Sequence, residues 1–182
     1  MEIYQAALKN REGVSRLFNS YREFYYQPSD FDGAMTFISE RLEKRDSIIF
    51  VAVNHKRYVG FIQLYPSFSS ITMKRTWILN DLYVIQEARR EGIGQLLMDA
   101  AINLCMETGA KSLSLQTAPD NEQARRLYKN HGFTLDNEYD LNDREYGKQE
   151  NKGLPLSQQS ECLFKDAESY ALLTGSDEIE LA

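Results

Sequence analysis

The stretch ARREGIG at positions 88–94 has the clearest potential for chemistry, because two glycines and two arginines meet where a strand-like run passes into a helical one. Gly92 and Gly94 would let the main chain approach a ligand closely. N–H groups at the start of the following helix would point at one spot, where the helix dipole adds positive potential. Arg89 and Arg90 add charge. The stretch predicts a phosphate-binding turn, although a short glycine motif in isolation more often marks a tight corner.

Two common phosphate-binding motifs do not fit this turn. A Walker P-loop requires Lys followed by Ser or Thr after its last glycine, and no lysine follows Gly94. A dinucleotide-binding fingerprint requires a third glycine three positions after Gly94, where Leu97 stands, and it opens a βαβ unit. The turn must therefore be interpreted from the elements around it.

Hydrophobic periodicity predicts those elements. Strands are expected at 2–8, 47–53, 58–66, 76–84, 112–117 and 133–136, and helices at 10–27, 29–45, 92–108 and 121–131. Three consecutive strands without an intervening helix imply an antiparallel meander, and the later strand–helix–strand order implies a βαβ crossover. The expected fold class is therefore α+β (mixed α/β).

The motifs around the turn, taken in order, resemble those of the GNAT superfamily of acyl-CoA-dependent N-acetyltransferases. Arg89, Gly92 and Gly94 spell Arg-x-x-Gly-x-Gly, with NDLYV before them and NEQARRLYKNHGF after them. The element order agrees over roughly residues 1–140. The resemblance implies a mostly antiparallel twisted sheet flanked by helices. It also implies a splayed strand pair, 76–84 and 112–117, whose gap receives the pantetheine arm of acetyl-CoA.

The resemblance also implies which residues bind acetyl-CoA. Backbone groups at the end of the strand 76–84 are expected to pair with the pantetheine and acetyl groups, and the Val84 N–H to hold the oxyanion. Amides of the turn are expected to receive the pyrophosphate. Asn121 is expected to contact the cofactor arm, and it would also suit the N-cap of its helix. The complete expected set is Leu82, Tyr83, Val84, Arg89, Arg90, Glu91, Gly92, Ile93, Gly94, Gln95 and Asn121.

Two side chains are candidate catalytic residues. By the resemblance, Tyr128 protonates the departing thiolate, a role that suits a phenol of pKa about 10. Without the motif, Tyr128 would be interpreted as a core aromatic residue of its helix. The attacking amine must first lose a proton, and where some family members carry a glutamate base this sequence has Asn80. Asp81 is the nearest carboxylate, but strict alternation would place it on the opposite face from Asn80. A structural role for Asp81, a water relay, or deprotonation before binding are the alternatives.

Charge and composition restrict the partners. Of the net charge of -6, residues 143–182 carry -5 and residues 1–142 only -1. A body so nearly neutral offers no broad basic face, so no nucleic-acid partner is expected. The two cysteines have no metal-ligand spacing, and no metal is expected. No apolar run approaches the ~20 residues that span a bilayer, so a cytoplasmic protein without a membrane partner is expected.

The predicted organisation is a GNAT domain at 1–142, followed at 143–182 by a polar linker, an amphipathic helix over 160–174 and an acidic end. Only 138–142 is available, weakly, to pair with the strand 133–136. The tail helix could dock on its own domain, meet a partner or mediate a homodimer. Candidate linings for the acceptor are 22–32, 65–70 and Trp77.

The expected function is acetyl-CoA-dependent transfer of an acetyl group to the primary amine of a small molecule, such as a polyamine or an amino acid, by direct attack in a ternary complex. Two alternatives stay open. One is acetylation of a protein lysine or N-terminus. The other is a weakly catalytic, CoA-binding regulatory module.

Overall fold

The computed structural model describes residues 1–136 and, as a strand only, residues 172–175. The chain divides into two units, Met1–Leu115 and a second that begins at Gln116.

The first unit is a mixed five-stranded sheet with three helices. Its strands are β1 (Glu2–Gln5), β2 (Ile48–Asn54), β3 (Arg57–Ser69), β4 (Lys74–Val84) and β5 (Leu113–Leu115), and its helices are α1 (Arg11–Phe24), α2 (Phe31–Lys44) and α3 (Ile93–Glu107). The strand order is β1-β2-β3-β4-β5, antiparallel except for the parallel pair β4–β5. The predicted meander and βαβ crossover are therefore confirmed.

Both hairpins are tighter than the sequence predicts. The β2–β3 turn contains only His55 and Lys56, both with positive φ (46° and 67°), which is typical of a two-residue turn that follows strand twist. β3 and β4 also continue through 67–69 and 74–75, beyond the predicted strands 58–66 and 76–84 and into a segment expected to be a loop or a ragged strand end. There Arg75 pairs across the strands with Phe68 and stacks over its ring at 5.0 Å, so the hairpin continues beyond the apolar pattern.

Side chains alternate between the two faces of the sheet along each strand, so one face packs against α1 and α2 and the other against α3. Phe61 belongs to the core cluster under α1 and α2, together with Val14, Leu17, Ile38, Ile49 and Val51. Ile62 and Leu64 point the other way and are fully buried, and α3 packs against β2, β3 and β4. The two helix layers thus enclose the middle of β3 and β4.

Asn19 fixes the connection between α1 and α2. Its side-chain oxygen accepts from the Asp30 N–H at 2.9 Å, and its side-chain nitrogen donates to the Ser29 hydroxyl at 2.9 Å. Asp30 then caps α2 by accepting from the Gly33 N–H at 2.9 Å. This buried polar link holds the C-terminal end of α1, whose aromatic side chains line the candidate site.

The second unit contains α4 (Glu122–Asn130), β6 (Phe133–Asp136) and β7 (Leu172–Gly175). β6 and β7 pair antiparallel, from Phe133 opposite Gly175 to Asp136 opposite Leu172. The prediction of a helix over 160–174 is wrong for residues 172–174, which form a strand. Their pairing with β6 outweighs the helical pattern of the local sequence. The rest of that predicted helix, the linker, the strand 138–142 and the acidic end lie outside the described residues.

Candidate active site

The candidate site of the first unit lies on β4, where a β-bulge adjoins a strand edge that is not paired with β5. Gln63 pairs with Asp81 but Leu64 pairs with Leu79, so Asn80 is an extra residue in the ladder, a β-bulge. Pairing with β5 ends at Leu79. Among the described residues, β4 therefore pairs from the bulge to Val84 with β3 alone, and its other edge there is not bonded to β5. This is the geometry expected of a splayed strand pair.

The peptide groups of β4 divide between this edge and β3. The Ile85 N–H donates to the Val59 carbonyl at 3.0 Å, so it points towards β3. Because amides alternate in an antiparallel ladder, the peptide groups of Leu82 and Val84 point to the open edge and those of Tyr83 to β3. The backbone role expected for Tyr83 is therefore not supported, since its main chain is engaged in the sheet. The backbone roles expected for Leu82 and Val84 stay predictions.

The turn after β4 has the backbone of an anion-binding helix start. Arg90 and Gly92 both have positive φ (68° and 79°). Gly92 is the N-cap of α3, and because it lacks a side chain, no side-chain cap engages the first N–H groups of the helix. The first turn of α3 contains no acidic residue. Its first N–H groups lack carbonyl partners within the helix and lie at the positive end of its dipole.

Not every predicted residue of the turn is equally available. The Gln95 N–H donates to the Gly92 carbonyl at 3.1 Å, so the amides before Gln95 are the better candidates for phosphate. Ile93 is buried and anchors the start of α3, whereas Glu91 and Arg90 are exposed. Gly94 lies in the first turn, where the absence of a side chain leaves the backbone uncovered. These features fit a pyrophosphate held by backbone amides.

Arg89 has a different place from the one predicted. Its Nε donates to the Val84 carbonyl at 3.0 Å, and its guanidinium lies 5.2 Å from the Phe24 ring centroid and 5.9 Å from that of Tyr83. This side chain connects the end of β4 to the Phe24 ring of α1. The exposed basic side chain of the turn is therefore Arg90.

Asp81 is buried, with 5% of its surface exposed. Burial raises the pKa of its carboxyl, and hydrogen bonds from Asn80 and Tyr21 offset only part of that effect. The Asn80 bond, Nδ2 to Oδ2, is 3.2 Å. The expectation that Asn80 and Asp81 point to opposite faces is wrong, because the bulge interrupts alternation between them. A raised pKa brings this carboxylate closer to the range in which a general base works best.

Tyrosines surround Asp81 on the face of α1. Besides Tyr21, Tyr25 and Tyr65 are close enough for the negative charge of Asp81 to act on their hydroxyls. Burial first, and that charge second, raise the pKa of Tyr65 to about 12. Both hydroxyls therefore stay protonated near neutral pH and remain hydrogen-bond donors.

An aromatic cluster continues from these tyrosines towards the turn. Successive ring centroids lie 5.0–6.5 Å apart among Phe18, Tyr21, Phe24, Tyr25, Phe37, Phe61 and Tyr83. Phe24 and Tyr25 are half exposed, so part of this surface is accessible. The segment 22–32 was predicted as an acceptor lining, and Phe24 and Tyr25 lie within it.

Trp77 is not part of this surface. It is buried, and its indole N–H donates to the Thr108 hydroxyl at 2.9 Å, just after α3. The prediction that Trp77 lines the acceptor site is therefore wrong, because it lies on the α3 side of the sheet. Phe68, from the predicted lining 65–70, is 69% exposed near the tip of the β3–β4 hairpin.

Asn121 and Tyr128 belong to the second unit. Asn121 is the N-cap of α4, and its side-chain oxygen accepts from the Ala124 N–H at 3.1 Å. Tyr128 is buried in α4, with its ring centroid 6.0 Å from that of Phe133. The capping role of Asn121 is confirmed. The expected roles of both residues towards the cofactor stay predictions.

Sequence reasoning missed Gln63. Its side chain is fully buried in β3, where Nε2 donates to the Ser47 hydroxyl at 2.8 Å and to the Tyr65 hydroxyl at 3.0 Å. Its Oε1 has no hydrogen-bond partner among the described residues. A lone amide in the apolar run FIQLY was the available signal.

Two further observations concern only the described part of the chain. No group of three or more His, Cys, Asp or Glu side chains there could hold a metal ion. None of the helices within it has the length and apolar character needed to cross a membrane.

Burial raises the pKa of the Cys105 thiol to about 11, which disfavours the nucleophilic thiolate.

Comparison with known proteins gives consistent matches. A family model described as "Acetyltransferase (GNAT) family" matches residues 13–133. The "Uncharacterized N-acetyltransferase YhfO" of Bacillus subtilis is 46% identical over 136 residues, covering 75% of this chain and 91% of that protein. "N-alpha-acetyltransferase 30" of Schizosaccharomyces pombe is 31% identical over 84 residues, covering 46% and 55%. The crystal structure of a probable acetyltransferase aligns with a TM-score of 0.78 at 38% identity, covering 82% of this chain and 100% of the other.

Proposed function

This chain belongs to the GNAT family of acetyltransferases, and from that premise we propose that it acetylates the primary amine of a small molecule. Family membership makes it an N-acetyltransferase that depends on acetyl-CoA. One observation supports the proposal that the acceptor is a polyamine, an amino acid or a similar amine. A buried carboxylate, Asp81, lies among tyrosines beside accessible aromatic rings. A carboxylate and ring faces together attract an ammonium group.

The residues of this chain fit the donor that the family implies. On the open edge of β4, the peptide groups of Leu82 would pair with the pantetheine arm. The Val84 N–H would face the acetyl group, since the Val84 carbonyl already accepts from Arg89. The amides of 90–94 and the Arg90 side chain would hold the pyrophosphate at the start of α3. Asn121 would contact the arm from α4. When bound, acetyl-CoA supplies the activated acetyl group.

Three groups would then perform the transfer by direct attack in a ternary complex. Asp81 accepts a proton from the ammonium form of the acceptor, which leaves a neutral, nucleophilic amine. The Val84 N–H on the open edge donates to the oxygen of the acetyl carbonyl as negative charge develops there. Tyr128 would give its phenolic proton to the departing sulfur, and the second proton that the attacking nitrogen loses as the amide forms would restore the phenol.

A thiol-release assay with saturating acetyl-CoA tests this proposal against a panel of polyamines, amino acids, aminoglycosides and lysine peptides. We expect at least one small amine to be turned over, with initial-velocity lines that intersect as in a ternary-complex mechanism. Parallel lines would contradict direct attack and point to a covalent acetyl-enzyme. Cofactor binding without turnover of any amine would contradict the catalytic proposal.

A second candidate acceptor is the N-terminal amine of a protein. The observation that favours it is the 31% identity to a protein named as an N-alpha-acetyltransferase, over 46% of this chain. The assay separates the two candidates when free amines are compared with peptides that have unblocked N-termini. A kcat/KM at least tenfold higher for such a peptide than for every free amine would select the second candidate.

A further inference from the structure

We propose that Gln63 is a positioning residue for Asp81: its side-chain carbonyl accepts a hydrogen bond from the carboxyl group once Asp81 has taken a proton from the acceptor amine. The inference deepens the proposed function, on which it rests. The proton transfer breaks an N–H bond of the ammonium group and forms an O–H bond on Asp81, leaving a neutral amine and a neutral carboxylic acid. That new O–H is a donor in a buried place and requires an acceptor.

The register of β3 and β4 places the two residues opposite one another. Gln63 and Asp81 are direct cross-strand partners, so their side chains leave the same face of the sheet. Cβ atoms of such partners lie about 4.5–5.5 Å apart, within reach of a glutamine and an aspartate side chain.

The bulge is what creates this pairing. If the register set by Leu64 and Leu79 continued without the extra residue, Asn80 would lie opposite Gln63 and Asp81 opposite Ile62, on the α3 side. The inserted Asn80 shifts the ladder by one residue, so Asp81 turns to the face of α1 and meets Gln63. Bulges are frequent next to active sites, where they redirect a side chain in this manner.

The hydrogen bonds of Gln63 leave one acceptor unused. Its amide nitrogen is engaged by Ser47 and Tyr65, at 2.8 and 3.0 Å, and these two bonds hold the amide in place. Oε1 is buried and has no partner among the described residues. A buried carbonyl without a partner is costly, and in native structures such groups often coincide with a functional requirement.

The other groups around Asp81 favour its charged form instead. Asn80 and Tyr21 hydrogen-bond to the carboxylate and lower its pKa, whereas burial raises it. Tyr25, which directly follows α1, and Tyr65 of β3 are the further titratable groups near it, and Arg41 and Asp46 act on Tyr65. The carboxylate thus has donors for its ionised state, and the Gln63 carbonyl supplies an acceptor for its protonated state. A base that alternates between these states uses both.

The pH profile of kcat/KM in the full-length enzyme tests the inference through Gln63→Leu. Removing an acceptor from the protonated state should lower the apparent pKa of the base by about one pH unit, the equivalent of one ordinary hydrogen bond. The same shift should appear in the NMR titration of the Asp81 carboxyl carbon, assigned by its loss in Asp81→Asn. Ser47→Ala, which removes a different partner of the same amide, is the matched control and should leave that pKa unchanged.

A second variant keeps the test decisive if Gln63→Leu does not fold. Gln63→Glu retains an acceptor of the same length and adds a like charge, so it should raise the apparent pKa of Asp81. An unchanged pKa in either variant, or a rise in Gln63→Leu, would overturn the inference. A rise in Gln63→Leu would mean that the amide N–H, not the carbonyl, faces the carboxylate.

Full activity of Asp81→Asn would instead overturn the general-base role in the proposed function, and this outcome does not depend on Gln63.

Discussion

Replacing Asp81 by Asn should lower activity and raise stability together, because one buried carboxyl group is responsible for both effects. The substitution keeps the shape of the side chain and removes its charge. A general base contributes about 10²–10⁴-fold to a rate, so kcat/KM with the acceptor amine should fall by about 10²-fold or more. The thiol-release assay at saturating acetyl-CoA measures this fall directly.

The stability change has a definite sign with pH. The pKa of Asp81 is raised in the folded state by burial, so its contribution to stability is full below the unfolded pKa of about 4 and is lost as the pH rises through the folded value. At pH 8 the ionised carboxylate opposes folding, and Asp81→Asn should therefore raise the Tm. The gain should disappear as the pH approaches about 4, where the unfolded carboxyl also binds a proton.

Glu43→Gln is the matched control, since it neutralises an exposed carboxylate on α2. It should change neither kcat/KM nor the pH dependence of the Tm beyond experimental error. An Asp81→Asn variant that retains activity within twofold of the parent would refute the general-base role. A Tm that falls at pH 8 would refute the reasoning from burial.

Three further predictions concern the cofactor and the second unit. Tyr128→Phe should lower kcat by about 10²-fold with little change in the KM for acetyl-CoA, since only the proton donor is lost, and an unchanged kcat in steady-state kinetics would remove Tyr128 from the mechanism. Arg90→Gly should raise the Tm, because it relieves a positive φ that costs about 1 kcal/mol. The same substitution should weaken acetyl-CoA binding several-fold in calorimetry, and an unchanged Kd would contradict a role for the Arg90 charge. Truncation after Asn142 removes β7, so hydrogen exchange should accelerate at the β6 amides bonded to it, and unchanged protection there would contradict their pairing.

Much of the architecture could be predicted because it depends on local pattern. The meander and the crossover follow from runs of β-branched and aromatic residues and from one wide apolar stripe on α3. Gly92 could be placed at the start of α3, since few other residues adopt its backbone conformation there. Asn121 could be placed as a cap for the same kind of local reason.

The chemistry around Asp81 could not be predicted in the same way. A bulge of one residue changes the side of the sheet on which every later side chain lies, and nothing in NDLYV marks Asn80 as the extra residue. Alternation extended through it gives Asp81 the wrong face and hides its pairing with Gln63. Arg89 illustrates a second limit, because a family motif suggests a basic residue at the phosphate but does not show that the Val84 carbonyl and the Phe24 ring engage it.

β7 illustrates a third limit. The strand that completes β6 begins at Leu172, far along the chain from Asp136, and the intervening sequence offers a nearer segment and a convincing helical pattern. Pairing over such a separation is decided by the edge that is available and not by the propensity of the segment itself.

Mass spectrometry of the reaction products tests the central proposal most directly. The full-length enzyme and its Asp81→Asn variant would each be incubated with acetyl-CoA and the same panel of small primary amines, and the products compared at equal enzyme concentration. We predict that the enzyme adds one acetyl group to at least one small amine, and that the variant forms that product at least 10²-fold more slowly. Acetylation of no small amine, or equal rates for the two proteins, would contradict it.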